Sequence, residues 1–178
     1  MRTFIGLSLP EKIRDSIARI CYGIEGARWV PEENFHVTLV FLGELDSTEF
    51  DSLREICTNV SAGSFPLKAD GLGWFGFKKP AILYIACDPD PRLLNLQRTL
   101  ESGCKRAGFS VEKREYKPHI TIARFRDSAQ RSVMTYLEEF RDFTLPVFEP
   151  GEFHIYSSRS GTDGPIYRIE ESFPIGRE

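Results

Sequence analysis

The chain has little that would tie it to a membrane, a metal or a long nucleic-acid surface. No stretch of its 178 residues approaches the roughly 20 apolar residues of a membrane span. The opening Met1–Pro10 is too short and too polar-punctuated for a signal peptide. Net charge is −3, which lacks the basic excess that salt-driven coating of nucleic acid needs. A small nucleotide site with a few local cations remains compatible with that charge. Cys21, Cys57, Cys87 and Cys104 show no CxxC spacing and fall at apolar-periodic or strand-end positions. They read as buried free thiols in a reducing compartment, which places the chain in the cytoplasm. Histidine is scarce, with three in all, so the setting of each one carries information.

What is present is an ordinary globular composition, 41% hydrophobic and 28% charged, enough for one domain spanning 1–178. Thr3–Ser8 reads as a strand, and Pro10 opens a helix with Ile13, Ile17, Ile20 and Ile24 near helical spacing. A polar turn at Pro31–Asn34 precedes an alternating strand that ends at Gly43. A helix follows from about Thr48, capped by Ser47 or Thr48, with Phe50, Leu53, Ile56, Cys57 and Val60 on one face. Strand-like runs at Phe65–Ala69 and Ala81–Cys87 flank a Gly/Pro-rich connection, Gly71–Pro80. The second half repeats this order. A helix starts at Asp90-Pro91 and stops near Gly108, and a second alternating strand follows. Ser128 then caps a helix carrying Val133, Tyr136, Leu137 and Phe140, and strand patterns lie at Phe143–Phe148, Glu152–Ser157 and Ile166–Ser172. Helix, strand, helix, strand, strand thus occurs twice, which predicts an α+β fold. The expected architecture is bilobal: two pseudo-symmetric lobes, each with an antiparallel sheet and helices, and a cleft between them.

The two central strands carry the same phrase. Residues 35–42 read Phe-His-Val-Thr-Leu-Val-Phe-Leu and residues 118–125 read Pro-His-Ile-Thr-Ile-Ala-Arg-Phe. With Ser plus Thr at roughly 12% of ordinary usage, a hydroxyl two residues after two of three histidines is a rare coincidence. Strand alternation puts His36 and Thr38 on one face, and His119 and Thr121 likewise, with aliphatic residues behind them. Imidazoles titrate near neutrality, so two of them across a cleft can serve as general acid and general base. That pairing suits displacement at phosphorus, with Thr38 and Thr121 donating to the non-bridging oxygens. A metal centre is not indicated, because neither motif has a second ligand at metal spacing. His154 lacks the motif and reads as an ordinary strand residue.

With these flanks the chain resembles the two-histidine phosphoesterase superfamily, in particular the RNA 2′,3′-cyclic phosphodiesterases historically called 2′-5′ RNA ligases. The resemblance runs through Arg2-Thr-Phe-Ile-Gly-Leu7, Leu9-Pro10, Trp29-Val-Pro31 and Asn34-Phe-His-Val-Thr-Leu39, and continues through Phe41-Leu-Gly-Glu44. Later marks are Tyr116-Lys-Pro-His-Ile-Thr-Ile-Ala-Arg124, Tyr156-Ser-Ser158 and Gly164-Pro-Ile-Tyr167. It implies a monomer that opens a terminal 2′,3′-cyclic phosphate on RNA to a 2′-phosphate, without metal or other cofactor. His36 would be proton donor and His119 proton acceptor. It also implies ATP-independent 2′-5′ joining, in keeping with the lack of a GxxxxGK[ST] loop. Alternatives are hydrolysis of 2′-5′ oligonucleotides or other cyclic nucleotides, and a non-catalytic RNA-end-binding module.

The resemblance also assigns substrate contact to Arg124, although strict alternation would put Arg124 on the face opposite His119. Either the strand ends or bulges near Ala123, or Arg124 reaches around the strand edge. Phe41, its counterpart in the first motif, is placed to stack on a base or to pack in the core. Lys117 either attracts phosphate or is solvated. Val40 stands where relatives often carry Lys, so one cation near the phosphate is expected to be missing.

Overall fold

Antiparallel pairing organises the chain, and the order of the strands places the two histidine motifs side by side. The structure is a computed structural model that describes residues 1–126, 130–162 and 164–176. Strand β1 (Arg2–Ser8) leads through Pro10 into helix α1 (Glu11–Ala18). The short β2 (Arg28–Trp29) and a 3₁₀ turn (Glu32–Asn34) precede β3 (His36–Glu44), α2 (Ser47–Thr58), β4 (Ala69–Phe75) and β5 (Ile82–Cys87). Then come α3 (Pro91–Arg106), β6 (His119–Arg124), α4 (Gln130–Glu139), β7 (Glu152–Gly161) and β8 (Gly164–Pro174).

Several boundaries differ from the sequence expectation, each for a local reason. Helix α1 ends at Ala18, short of Ile20 and Ile24, and leaves Cys21 outside it. Both isoleucines are still buried, but from a segment that winds through Gly23 and Gly26 at positive φ (84° and 76°). The cap of α2 is Asp46, not Ser47 or Thr48: its carboxylate accepts from Glu49 N–H while Glu49 accepts from Asp46 N–H. The Gly-rich connection after Ala69 is largely strand β4. Gly71 turns at φ 75° inside an irregularity of the β4–β5 ladder. A Cβ at Gly73 would lie 2.6 Å from the hydroxyl oxygen of Tyr84, so glycine is what lets that tyrosine lie across β4. Apart from Ala69, which opens β4, Phe65–Ala69 and Phe143–Phe148 do not form strands. The two runs meet at the isolated bridge Leu67–Phe148 and through Leu145 N–H donating to the Ala69 carbonyl, and Asp70 of β4 bridges Thr144; Pro66 and Pro146 withhold donors that a longer ladder needs. The expected cap Ser128 lies outside the described residues.

Helix, strand, helix, strand, strand does occur twice, but the pairing exchanges the hairpins. The sheet order is β4-β5-β6-β3-β1-β7-β8, with β2 also on β6. Hairpin β4–β5, from the first half of the chain, pairs with the second histidine strand, β6. Hairpin β7–β8, from the second half, pairs with β1 beside the first histidine strand, β3. The two halves of the sheet are therefore not the two halves of the chain. They meet at one antiparallel bridge, Val37 opposite Ile120.

One face of this sheet is the core. Ile5, Leu7, Val37, Leu39, Ile85, Ile120 and Ile122 belong to one buried cluster with Ile13 and Ile17 of α1, Leu53 of α2, Leu96 and Leu100 of α3 and Val133 of α4. Cys57, Cys87 and Cys104 are buried there too, and all four cysteines are free thiols. Tyr136 of α4 donates its hydroxyl proton to the Ile20 carbonyl, tying α4 to the segment after α1. The opposite face holds the alternate members of each strand, polar and aromatic together. Among the described residues no helix is long and apolar enough to cross a membrane.

The capping box generates a simple expectation. Asp46→Ala removes one side-chain acceptor from the start of α2 and should lower unfolding free energy by about 1 kcal/mol, measured by urea denaturation.

Candidate active site

The bridge between Val37 and Ile120 dictates the geometry of the other face. In an antiparallel pair with 37 opposite 120, His36 faces Thr121 and Thr38 faces His119, all four on the side away from the core. The two imidazoles take diagonal positions, for which the Cβ separation in a regular pair is about 7–8 Å or slightly less. The face continues across β1 and β7. Gly6 lies opposite Thr38 and Ser8 opposite His36, and Gly6 is in turn opposite His154. Gly6 is required by close approach: a Cβ there would come within 2.9 Å of the Val37 carbonyl and 3.5 Å of the His36 ring.

Each imidazole is held the same way. His36 Nδ1 lies 2.7 Å from the Asn34 carbonyl, and His119 Nδ1 lies 2.7 Å from the Lys117 carbonyl. A carbonyl only accepts, so each Nδ1 carries the proton and each neutral ring presents its Nε2 lone pair. In the first motif Thr38 donates its hydroxyl to that Nε2 at 2.9 Å. The Asn34 side chain donates to the Pro165 carbonyl at 2.7 Å, which ties the His36 anchor to the start of β8. Tyr116, just before the second motif, donates to the Thr38 carbonyl at 2.9 Å and staples the two motifs together.

Each ring also rests on a pair of stacked aromatics. His36 lies 4.8 Å from the Phe4 centroid and 6.0 Å from Tyr156, which stack on one another at 8°. His119 lies 4.9 Å from Phe75 and 5.4 Å from Tyr84, which stack at 22°. Phe4 and Tyr156 come from β1 and β7, Tyr84 and Phe75 from β5 and β4, so the two shelves have matching strand origins. The Tyr156 segment thereby acquires a physical role. Tyr156 is half of the His36 shelf, Ser157 is buried and donates to Glu170 at 2.5 Å, and Ser158 pairs with Arg2.

A repeated bulge decides where the residues at His+5 go. In β3 the register against β1 slips between Val40 and Thr38, so Leu39 and Val40 are both buried. In β6 the register against β5 slips between Ala123 and Thr121, so Ile122 and Ala123 are both buried. The extra residue reverses the alternation. Arg124 consequently emerges on the face of His119, as the expected bulge requires, and Phe41 emerges on the face of His36, exposed rather than in the core. Arg2 lies over the Phe41 ring at 5.1 Å. Val40 points into the core at 3% exposure opposite Ile5, so its identity does not subtract a cation from this face. Lys117 is exposed.

Electrostatics links the two motifs. Burial lowers the pKa of His36 to about 4, with further lowering from His119 and Arg124. Burial and the Arg124 charge also lower His119. Both rings are therefore neutral at pH 7 in the free protein, and each would gain basicity from an anion placed between them. His154 is a buried, satisfied histidine. Its Nε2 lies 3.0 Å from Ser8 Oγ and its Nδ1 2.8 Å from Ser172 Oγ. Among the described residues no group of three His, Cys, Asp or Glu side chains is arranged to hold a metal ion.

Sequence reasoning passed over Arg2, Ser8, Asn34 and Tyr116. Arg2 and Ser8 lie on β1, paired with the neighbours of the first motif, but that pairing has no trace in local sequence. Asn34 had a visible signal, two residues before His36, where a backbone carbonyl can meet the ring.

The family model described as the 2′-5′ RNA ligase superfamily matches residues 9–162. A protein of Thermotoga maritima called RNA 2′,3′-cyclic phosphodiesterase is 33% identical over 95% of this chain and 92% of its own length. One of the same name from Methanocaldococcus jannaschii is 29% identical over 95% and 98%. The fold is similar to that of Escherichia coli LigT in its apo form, with a TM-score of 0.82 at 23% identity over 99% of this chain and 98% of that one. The 3′-AMP complex of LigT is similar at the same TM-score and 24% identity, again over 99% and 98%.

The depressed His36 pKa makes stability depend on pH. The unfolded chain binds a proton near the ordinary value of about 6.5, the folded chain only near 4. Stability from this group is complete above pH 6.5 and lost as pH falls through that window, on the order of 3 kcal/mol by pH 4. Urea unfolding at pH 7 and pH 4 should show a smaller loss in His36→Gln than in the parent.

Proposed function

The chain belongs to the 2′-5′ RNA ligase superfamily, and from that premise we propose that it hydrolyses RNA 2′,3′-cyclic phosphate ends to 2′-phosphates. The observation that carries this is the pair of imidazoles, each with Nδ1–H tied to a carbonyl two residues back and Nε2 offered on one face. The names of the relatives support the substrate class.

In the proposed reaction the substrate phosphate sits between the motifs and its negative charge raises both imidazole pKa values. The reacting form carries one proton, on His36 Nε2, and leaves His119 neutral as the base. His119 Nε2 removes a proton from water, whose oxygen forms the new bond to phosphorus. The bond from phosphorus to the 3′-oxygen breaks, and His36 Nε2–H delivers its proton to that oxygen. The products are a 3′-hydroxyl and a 2′-phosphate. Thr38 is released from His36 once Nε2 is protonated, and with Thr121 and Arg124 it donates to the non-bridging oxygens. Phe41, backed by Arg2, offers its exposed ring to a base of the RNA. A 5′-hydroxyl in place of water gives a 2′-5′ linkage without ATP, because the energy of the cyclic ester is retained in the new diester.

The repeated motifs, bulges and aromatic shelves support reading residues 1–178 as one bilobal domain built by internal duplication. We further place the protein in the cytoplasm, as a monomer. The four free thiols support a reducing compartment.

Two measurements test the function. His36→Ala and His119→Ala should each lower turnover of a 2′,3′-cyclic-phosphate oligonucleotide by at least about a thousandfold, with EDTA present throughout. Full activity in either variant would overturn the paired mechanism, and turnover of 2′-5′ oligonucleotides alone would redirect the substrate. The pH profile of kcat/KM, which reports the free protein, should peak below the ordinary histidine value of about 6.5, because both pKa values are lowered. The kcat profile should peak at higher pH, since the bound anion raises both.

A further inference from the structure

Beside His36 the structure has a cavity that the two-motif mechanism leaves unused. Its volume is about 230 Å³, and Ser8, Arg14, Glu33, Asn34, Tyr156 and Tyr167 are among its walls, with His36 on one side. That is smaller than a drug-sized pocket and suits one flat group. Three observations say what kind. Arg14 Nε is buried without a hydrogen-bond partner among the described residues, which is costly unless an acceptor arrives. The remaining walls are largely aromatic and aliphatic: the Tyr167 ring stands edge-on to His36 at 5.3 Å, and Leu9 and Ile169 add apolar surface, Ile169 being 45% exposed. The corner is already rich in acid, because Glu33 lines the cavity and the Glu32 carboxyl is raised by desolvation and by a hydrogen bond with Asp15. A second phosphate is disfavoured there. A neutral heteroaromatic ring is favoured: it stacks on tyrosine, accepts from Arg14 and donates to Glu33.

We propose that this cavity is a second nucleoside subsite, which takes the base of the nucleotide preceding the one that bears the cyclic phosphate. The proposal rests on the cyclic-phosphodiesterase reading. There His36 protonates the 3′-oxygen, so the ribose lies on the His36 side and the polynucleotide continues past that ring. The terminal base stays over the cleft, and the second reaches the cavity. The enzyme thereby senses that its substrate is a chain and not a free nucleotide.

The test uses the unmodified protein and three substrates: a nucleoside 2′,3′-cyclic phosphate carrying a 5′-phosphate, a dinucleotide with the same cyclic end, and that dinucleotide with its 5′ residue abasic. The expected kcat/KM for the intact dinucleotide is about tenfold or more above the other two. Equal values for all three would overturn the proposal. So would an abasic dinucleotide as good as the intact one, because the gain would then come from phosphate. Arg14→Met should collapse the ratio of intact to abasic dinucleotide toward one, with folding checked by thermal denaturation. A ratio that survives this change would overturn the assignment of the base to this cavity. Failure of the underlying reading is distinguishable, since none of the three substrates would then be opened.

Discussion

One backbone contact governs the active face. Val37 pairs with Ile120 between two strands that otherwise belong to different halves of the sheet. Moving that register by one residue would send one histidine into the core and bring an isoleucine into the cleft, since alternation has a period of two. The pair is anchored by apolar burial behind it: Val37 and Ile120 are both fully buried. Tyr116 adds a polar tie from one motif to the carbonyl of the other. The positions of His36, Thr38, His119 and Thr121 follow from this contact.

Around that contact the same physical devices appear twice. A carbonyl two residues back selects the tautomer, a stacked aromatic pair supports the ring, and a bulge three to four residues on turns the next side chain toward the cleft. Two consecutive buried residues, Leu39-Val40 and Ile122-Ala123, are the signature of the bulge. Equivalence of backbone does not make the chemistry equivalent. The bulge delivers an aromatic ring at Phe41 and a cation at Arg124, and burial lowers His36 to about 4 with its Nε2 already held by Thr38. The cavity on the far side of His36 adds a further difference between the two sides of the cleft.

The elements most legible in sequence were those written in local pattern. Alternation identified β3 and β6, Pro91 identified the start of α3, and the repeated order of elements was correct. The misjudged places were those where glycine or proline had two meanings. Gly71 and Gly73 signalled a connection but serve a strand, one by turning within the ladder and one by yielding space to the Tyr84 ring. Pro66 and Pro146 lay inside apolar runs that resembled strands and limited them to single bridges. The bulge beside Ala123 could be anticipated because Arg124 had to return to the face of His119. Its twin beside Val40 was not, and Val40 was therefore misplaced near the phosphate.

The sequence by itself determined the two motifs, the face each presents and the kind of chemistry that paired imidazoles allow, because strand alternation is a local property. Tertiary structure alone decided which strands lie next to one another. It sent each hairpin to the opposite half of the sheet, brought Phe4, Tyr156, Phe75 and Tyr84 beneath the histidines, and enclosed the Arg14 cavity between β1, α1 and β8. These contacts join residues dozens to more than a hundred positions apart. They are selected by the burial of one shared core, which no local pattern records.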